Sequence, residues 1–349
     1  MVPKVKILIV GAGAGGLITG YHFALSGIDV TFFVRPSRMD EMAQKPKRLY
    51  CYNDHKVKLF DEYATLCDMD DVAAKKFDYV LTTLDGNAMH SDEGMALLGD
   101  LGNAVRESNS ILVCLGAAHG IEEFFVKQTG HPIERCLFGS FSLLSHNVPL
   151  PDQRFEESID QEALAGCVFA YTHLGKGNGG LVLTRTNRDL GKELAEVYGR
   201  SGVSSCMVMP NLRVMDCMSY FLAPSFVAFE IEGWPEPDDI YETESWRLAE
   251  KATMELFALP QHGLSGKVVA ALGGPLNMLT KMFKNMSRDA SPLDFHAFNK
   301  FHHGGKVVEQ DISLARDALS QEEGRGRKLP NLRSLMARLD KVNAQKNKA

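Results

Sequence analysis

The sequence predicts an α/β chain, with an N-terminal doubly wound parallel sheet followed by an all-helical C-terminal domain. Three observations carry this. Short β-branched runs alternate with helically spaced apolar residues through the N-terminal part. From Asn211 onward the apolar pattern turns helical throughout. The 349 residues, 45% of them hydrophobic, are too many for one ordinary core, so two domains are expected. The boundaries fall at 1–208 and 209–342, with a polar, frayed tail at 343–349.

The first element is Val5-Lys6-Ile7-Leu8-Ile9-Val10, a strand with no polar alternation after Lys6, as expected for one buried on both faces. It runs into Gly11-Ala12-Gly13-Ala14-Gly15-Gly16. Leu17, Ile18, Tyr21, Ala24 and Leu25 then recur at helical spacing, and Gly27 stops the helix. A second strand spans 29–34. Strand, glycine turn, helix and strand within about thirty residues are the context that makes GxGxxG specific. Gly11 permits the tight turn, Gly13 lets backbone N–H groups approach a pyrophosphate, and Gly16 lets the helix pack on the strand. Ala12, Ala14 and Gly15 complete the loop, and the helix N-terminus offers free N–H groups and partial positive charge to the phosphates. This is a Rossmann-type dinucleotide site.

The end of the second strand selects the cofactor. A site for NAD or FAD usually has Asp or Glu there, on the ribose 2′-OH. Here Phe33-Val34 is followed by Arg35-Pro36-Ser37-Arg38, with no carboxylate before Asp40. Arg35 suits a 2′-phosphate, with Ser37 as a hydroxyl donor and Arg38 as a second cation. NADP(H) is the expected cofactor.

Phe77–Leu84 reads as a further buried strand, 93–106 as a helix and Ser110–Leu115 as the next strand. Thr83, Leu84, Asp85 and the loop Gly116–Gly120 then lie at strand carboxyl ends, where such sheets bind ligands. Leu137–Leu144, Gly166–Thr172 and Gly180–Arg185 read as strands, the last two joined by the turn Gly175–Gly180. A helix is expected over Asp189–Ser201.

In this order the parts resemble the ketopantoate reductase family. The resemblance rests on Lys6–Gly16, Gly27–Arg38, Phe77–Leu84, Ile111–Glu123 with Gly120-Ile121-Glu122-Glu123, and Ala170–Gly175 with Gly180–Leu183. It covers roughly the first 190 residues. It implies a Rossmann domain, an all-helical substrate domain and NADPH-dependent reduction of a 2-keto acid. The chain departs from the family at its catalytic positions. Asp85 stands where the resemblance places a lysine near the nicotinamide, and Ala117-Ala118-His119-Gly120 where it places an asparagine. No lysine occurs between Lys192 and Lys251 to serve as its proton donor, and no Glu between Pro292 and Gly305 to contact its substrate. A substrate other than ketopantoate is expected.

In the C-terminal half, Val214, Met215, Met218, Phe221, Leu222 and Phe226 recur at helix spacing, with Pro224 ending or kinking that helix. Trp234–Asp239 reads as a loop. Helices are expected over 244–256, 306–319 and 332–339, with a break at Gly273-Gly274-Pro275. Met278, Met282 and Met286 read as helix packing. Reducing a ketone requires a proton donor to the developing alkoxide. The candidates are His119, in the loop after the Ile111–Leu115 strand, and His303 or Lys306 in Phe301-His302-His303-Gly304-Gly305-Lys306. The Gly-Gly break is expected to bring one of these to an interdomain cleft; a solvated loop histidine and a helix start are the plain alternatives. No metal site is expected, because the paired histidines have no third ligand at useful spacing.

Composition excludes other classes. The net charge of −6 argues against a nucleic-acid binder. No apolar run approaches the roughly eighteen residues that span a bilayer, and Met1–Lys6 lacks a signal peptide's apolar region. Seven scattered cysteines without a CxxC pair suit a reducing compartment, here the cytoplasm. The expected function is an NADP(H)-dependent oxidoreductase reducing a small ketone or 2-keto acid, or oxidising the alcohol. The alternatives are a non-catalytic NADP(H)-binding sensor or scaffold and, less suited to Arg35, a flavoprotein. A homodimer through the helical domain stays open.

Overall fold

The computed structural model describes residues 4–346 except Lys176, together with the backbone but not the side chain of Ser219. Lys176 of the expected glycine turn and residues 347–349 of the expected tail lie outside them. The chain divides into two compact units, Met1–Met209 with Ala290–Leu293, and Pro210–Asp289 with Asp294–Ala349. The short Ala290–Leu293 stretch thus joins the first unit although it lies far along the sequence.

The first unit is built on an eight-stranded sheet. Its strands are β1 (Lys6–Val10), β2 (Asp29–Phe33), β5 (Ala64–Leu66), β6 (Tyr79–Thr82), β7 (Ile111–Cys114), β8 (Cys136–Phe141), β11 (Gly179–Leu183) and β12 (Ser205–Val208). They lie in the order β12-β11-β8-β7-β6-β1-β2-β5. All neighbours are parallel except β8 and β11. Ile7, Leu8 and Ile9 are wholly buried, which explains why β1 reads as an unbroken apolar run. Helix α1 (Ala14–Leu25) crosses from β1 to β2. The expected strands at 77–84 and 110–115 are shorter than read, because Thr83, Leu84 and Leu115 already belong to the loops at the carboxyl edge.

A second, four-stranded sheet was not foreseen. It runs β4-β3-β10-β9, from β3 (Lys47–Cys51), β4 (Lys56–Phe60), β9 (Leu143–Asn147) and β10 (Phe169–His173). This sheet corrects two expectations. The single strand read over 137–144 is two, β8 and β9, one in each sheet. The strand pair expected around the glycine turn is not a pair: β10 belongs to the small sheet and β11 to the large one, joined by one isolated bridge from Leu174 to Gly179. Gly180 shows why glycine is needed at this crossing. A Cβ there would lie 2.2 Å from the Tyr198 hydroxyl and 2.3 Å from Ser204 Oγ.

The second unit is helical as expected, with local corrections. Helical spacing over Val214–Phe226 resolves into a 3₁₀ turn, Arg213–Ser219, and a helix, Ala223–Glu232. Pro224 lies in the first turn of that helix, where its missing N–H costs nothing, so it starts a helix rather than ending one. Pro237 likewise opens a short helix, Pro237–Ile240, inside the expected loop. The stretch Arg213–Glu232 is, among the described residues, long and apolar enough to cross a membrane by length and composition, contrary to the sequence reading; most of it is buried inside the fold, as in a core helix. The final helix, Pro330–Lys346, continues through the residues expected to fray, and Lys346 Nζ bonds Glu230 Oε1 at 3.1 Å.

Candidate functional site

The glycine turn closes between β1 and α1. Gly11 adopts φ of +104°, a region that favours glycine, and its N–H donates to Phe33 O at 3.0 Å, tying the turn to the end of β2. The glycines of this loop are required for different reasons. A Cβ on Gly16 would lie 2.5 Å from Gly11 O, and one on Gly15 would lie 2.9 Å from the Phe141 ring. A Cβ on Gly13 would meet no protein atom within 4 Å. Protein packing therefore explains Gly15 and Gly16 but not Gly13. The first turn of α1 holds no acidic residue and no side chain caps it, so its N–H groups face outward as an anion site requires. Ala12 and Ala14 are buried and set the loop's floor.

Thr83, which the sequence only placed at a strand end, holds the turn from below. Its Oγ1 donates to Val10 O at 2.9 Å and lies 3.3 Å from Gly11 O. A hydroxyl at the end of a buried apolar run was the available signal.

Arg35 and Ser37 are exposed beside the turn. Arg38 ends a 3₁₀ turn, Pro36–Arg38, and its Nη1 donates to Ala12 O at 3.4 Å. Its Nε and Nη2 bond the Glu41 carboxylate at 2.9 and 2.6 Å. That fork holds the Glu41 carboxyl below its ordinary range and raises the guanidinium further. The structure thus brings Arg38 to the glycine loop but shares its charge with Glu41, a residue that sequence reading missed.

Leu84 is half-buried against the core on one side of the sheet. Asp85 caps the helix Gly86–His90, its Oδ1 accepting from Ala88 N at 2.8 Å. His119 is half-buried in the loop after β7. Gly120 follows with φ of +71° and opens the helix Ile121–Thr129, whose Glu122 accepts from Thr186 Oγ1 at 3.0 Å. These residues all follow the carboxyl ends of β6 and β7.

His303 and Lys306 belong to the second unit. Residues His302–Lys306 form a π-turn between two helices, the kind of extra-residue bulge that often marks functional positions. The His303 ring stacks on Phe226, with centroids 3.5 Å apart and planes within 8°, and Nδ1 lies 2.7 Å from Asp311 Oδ2. Burial raises the Asp311 carboxyl, against the opposing pull of His303. Lys306 is exposed. Gly304 is set by Trp234, whose ring would lie 2.6 Å from a Cβ there. Among the described residues no cluster of three or more His, Cys, Asp or Glu could hold a metal.

A mostly parallel sheet with a glycine turn at the β1–α1 junction and loops at its carboxyl edge gives the first unit a Rossmann-type α/β fold; the second unit is helical. Residues 7–145 match the family model described as ketopantoate reductase PanE/ApbA. The resemblance read from the motifs is borne out. No curated protein matches the chain. Similar solved structures show the same fold end to end. A 2-dehydropantoate 2-reductase from Geobacter metallireducens GS-15 has TM-score 0.66 and 19% identity, covering 97% of this chain and 100% of its own. A PanE/ApbA family ketopantoate reductase from Ralstonia eutropha JMP134 has TM-score 0.64 and 16% identity, covering 98% and 100%. A D-mandelate dehydrogenase solved with NADH and anilino(oxo)acetate has TM-score 0.65 and 13% identity, covering 97% and 100%.

Proposed function

We propose that this chain is an NADP(H)-dependent oxidoreductase that reduces a small ketone or 2-keto acid, or oxidises the alcohol, with ketopantoate not its substrate. The observation that carries the proposal is the open Cβ position of Gly13 at an uncapped helix N-terminus, just before Gly15 and Gly16, which packing explains. In this reading the N–H groups of Gly11–Gly16 and the start of α1 hold the pyrophosphate. Arg35, Ser37 and Arg38 take the 2′-phosphate, and Leu84 and Asp85 line the nicotinamide side. The first unit binds the nucleotide and the second selects the substrate. The bound nucleotide supplies or accepts the hydride.

The chain's own part is to orient the carbonyl and deliver a proton to its oxygen. His119 is the first choice, because it lies in the loop after β7 and an imidazole can donate near neutral pH. His303 and Lys306 are the alternatives; the His303 ring is committed to Phe226 and Asp311, which leaves Nε2 as its working atom. All seven cysteines are free thiols, in keeping with a reducing compartment such as the cytoplasm.

A second reading, an NADP(H)-binding sensor without turnover, is favoured by the absence of any lysine between Lys192 and Lys251. One experiment separates the two. NADPH is expected to raise the melting temperature and to be consumed with at least one member of a 2-keto-acid and ketone panel. Stabilisation with no turnover would select the sensor, and no stabilisation would remove both.

A further inference from the structure

The short helix after β2 is fixed from outside. It spans Met39–Ala43, directly after the Pro36–Arg38 turn. The Tyr63 hydroxyl donates to Met42 O at 2.8 Å, and the ammonium of the buried Lys47 donates to Glu41 O. The Met42 side chain is wholly buried. A helix of five residues does not hold its shape alone, so these anchors set where Glu41 stands.

The Glu41 carboxylate meets Nε and Nη2 of Arg38, and the free edge of that guanidinium, Nη1, reaches Ala12 O of the glycine turn. A single guanidinium thus separates a carboxylate from the turn. A carboxylate has about four acceptor sites, and Arg38 takes one on each oxygen. Among the described residues Glu41 bonds no other side chain, and its own is 51% exposed, so acceptor sites stay open to a ligand. The sequence lacks an acid at the end of β2, where a site for NAD has one on the ribose 2′-OH. The fold returns one there, by turning the chain at Pro36–Arg38 and setting Glu41 against the guanidinium that touches the loop.

We infer that Glu41 reads the adenosine ribose by accepting from the 2′-hydroxyl of NADH, so that the site takes both nicotinamide dinucleotides. This rests on the nucleotide site of the proposed function and deepens it. With NADH, Glu41 holds the hydroxyl and Arg38 together. With NADPH, Arg35, Ser37 and Arg38 meet the 2′-phosphate, and Glu41 is a like charge beside it. The same carboxylate therefore favours one dinucleotide and opposes the other. Charge alone has a different signature. Both nucleotides carry a pyrophosphate, so deleting a nearby negative charge strengthens both. Losing the acceptor of a hydroxyl weakens NADH only.

Titration calorimetry of the full chain tests this with NADH, NADPH and the 2′-deoxyadenosine analogue of NADH. Glu41→Ala is expected to raise the Kd for NADH about five- to tenfold and to lower that for NADPH. The parent is expected to bind the deoxy analogue about five- to tenfold more weakly than NADH, and Glu41→Ala to bind the two alike, because hydroxyl and carboxylate are partners in one bond. Asp40→Ala removes the neighbouring charge and is expected to leave the ratio of the NADH and NADPH constants within a factor of about two. A parent that binds NADPH but not NADH overturns the inference. So do a Glu41→Ala protein that binds both nucleotides more tightly, and a parent indifferent to the 2′-hydroxyl. In each of these cases NADPH binding leaves the proposed nucleotide site standing, whereas a parent that binds neither nucleotide removes that site and the inference with it. The comparison of NADH with its deoxy analogue uses the parent alone, so it decides the matter whether or not Glu41→Ala folds.

Discussion

Arg38 reaches back from the turn after β2 to the carbonyl oxygen of Ala12, while Glu41 grips the other side of the same guanidinium. One side chain thereby joins the end of the second strand to the glycine loop, and its positive charge is half spent on a neighbour. Arg35, which follows the same strand, is exposed to solvent.

Under the proposed function this division makes Arg35 the residue that would discriminate between the two nucleotides. Arg35→Glu is expected to weaken NADPH binding at least tenfold, about 1.4 kcal/mol, while leaving NADH binding within a factor of two. Glu41→Gln is expected to act in the opposite direction, because it frees the fork of Arg38. Titration calorimetry with both nucleotides measures the two. Equal losses for NADPH and NADH in Arg35→Glu would remove the 2′-phosphate assignment.

The glycine loop separates ligand effects from folding effects. Gly13 has φ of −75° and open space at its Cβ position, so Gly13→Val is expected to keep the parent's melting temperature and lose stabilisation by NADPH. Gly16→Ala drives a Cβ against Gly11 O and is expected to cost about 1–3 kcal/mol in stability without any ligand. Thermal melts with and without NADPH distinguish the pair. A Gly13→Val protein that still responds to NADPH would take the pyrophosphate away from this loop.

The glycine turn between β1 and α1 was legible because its signals are local: an apolar run, four glycines within six residues and a helix start. Thr83 was harder to assign, since its hydroxyl acquires a role only once β6 lies beside β1. The small sheet was not legible, because it joins β3 to β10 across about 120 residues, with Asn53 bonding both N–H and C=O of His173. Its strand β3 begins Lys47-Arg48, which reads as surface, yet Lys47 is buried. The glycine turn before β11 reads as a hairpin for the same reason. Only the packed Tyr198 and Ser204 show that Gly180 serves a crossing between sheets.

His119 and His303 are separable by what each variant leaves intact. His119→Gln is expected to lower kcat by about 10²- to 10⁴-fold with NADPH affinity and melting temperature unchanged. His303→Gln removes a ring stacked on Phe226 and bonded to Asp311, so its expected effect is lost stability, on the order of 1–3 kcal/mol. Steady-state kinetics beside thermal melts measure both. Full activity in His119→Gln would return the proton-donor role to His303 or Lys306.

Acid sensitivity follows from buried histidines, among them His22, His146 and His173 of the first unit. His22 stacks on His173 with centroids 5.2 Å apart, and its Nδ1 lies 2.9 Å from the Tyr198 hydroxyl. Ser204 Oγ bonds that hydroxyl at 3.1 Å and lies 3.2 Å from His173 Nε2. His146 pairs with the Tyr52 hydroxyl at 3.1 Å. Burial lowers His22 to about 3, with the neighbouring His173 adding to it, and lowers His146 and His173 to about 4. In the unfolded chain each binds its proton near pH 6.5. Above that pH both states are neutral at these groups, and stability is at its full value. Below it the unfolded chain takes up protons that the folded chain refuses, so stability falls from about pH 6.5 down to about 4, by roughly 1 kcal/mol per pH unit for each histidine. Denaturant melts between pH 8 and 4.5 are expected to show this slope, and His146→Phe, which removes one of the contributing groups, is expected to reduce it. A stability curve that stays flat from pH 7 to 5 would mean that these imidazoles are not held neutral in the folded protein.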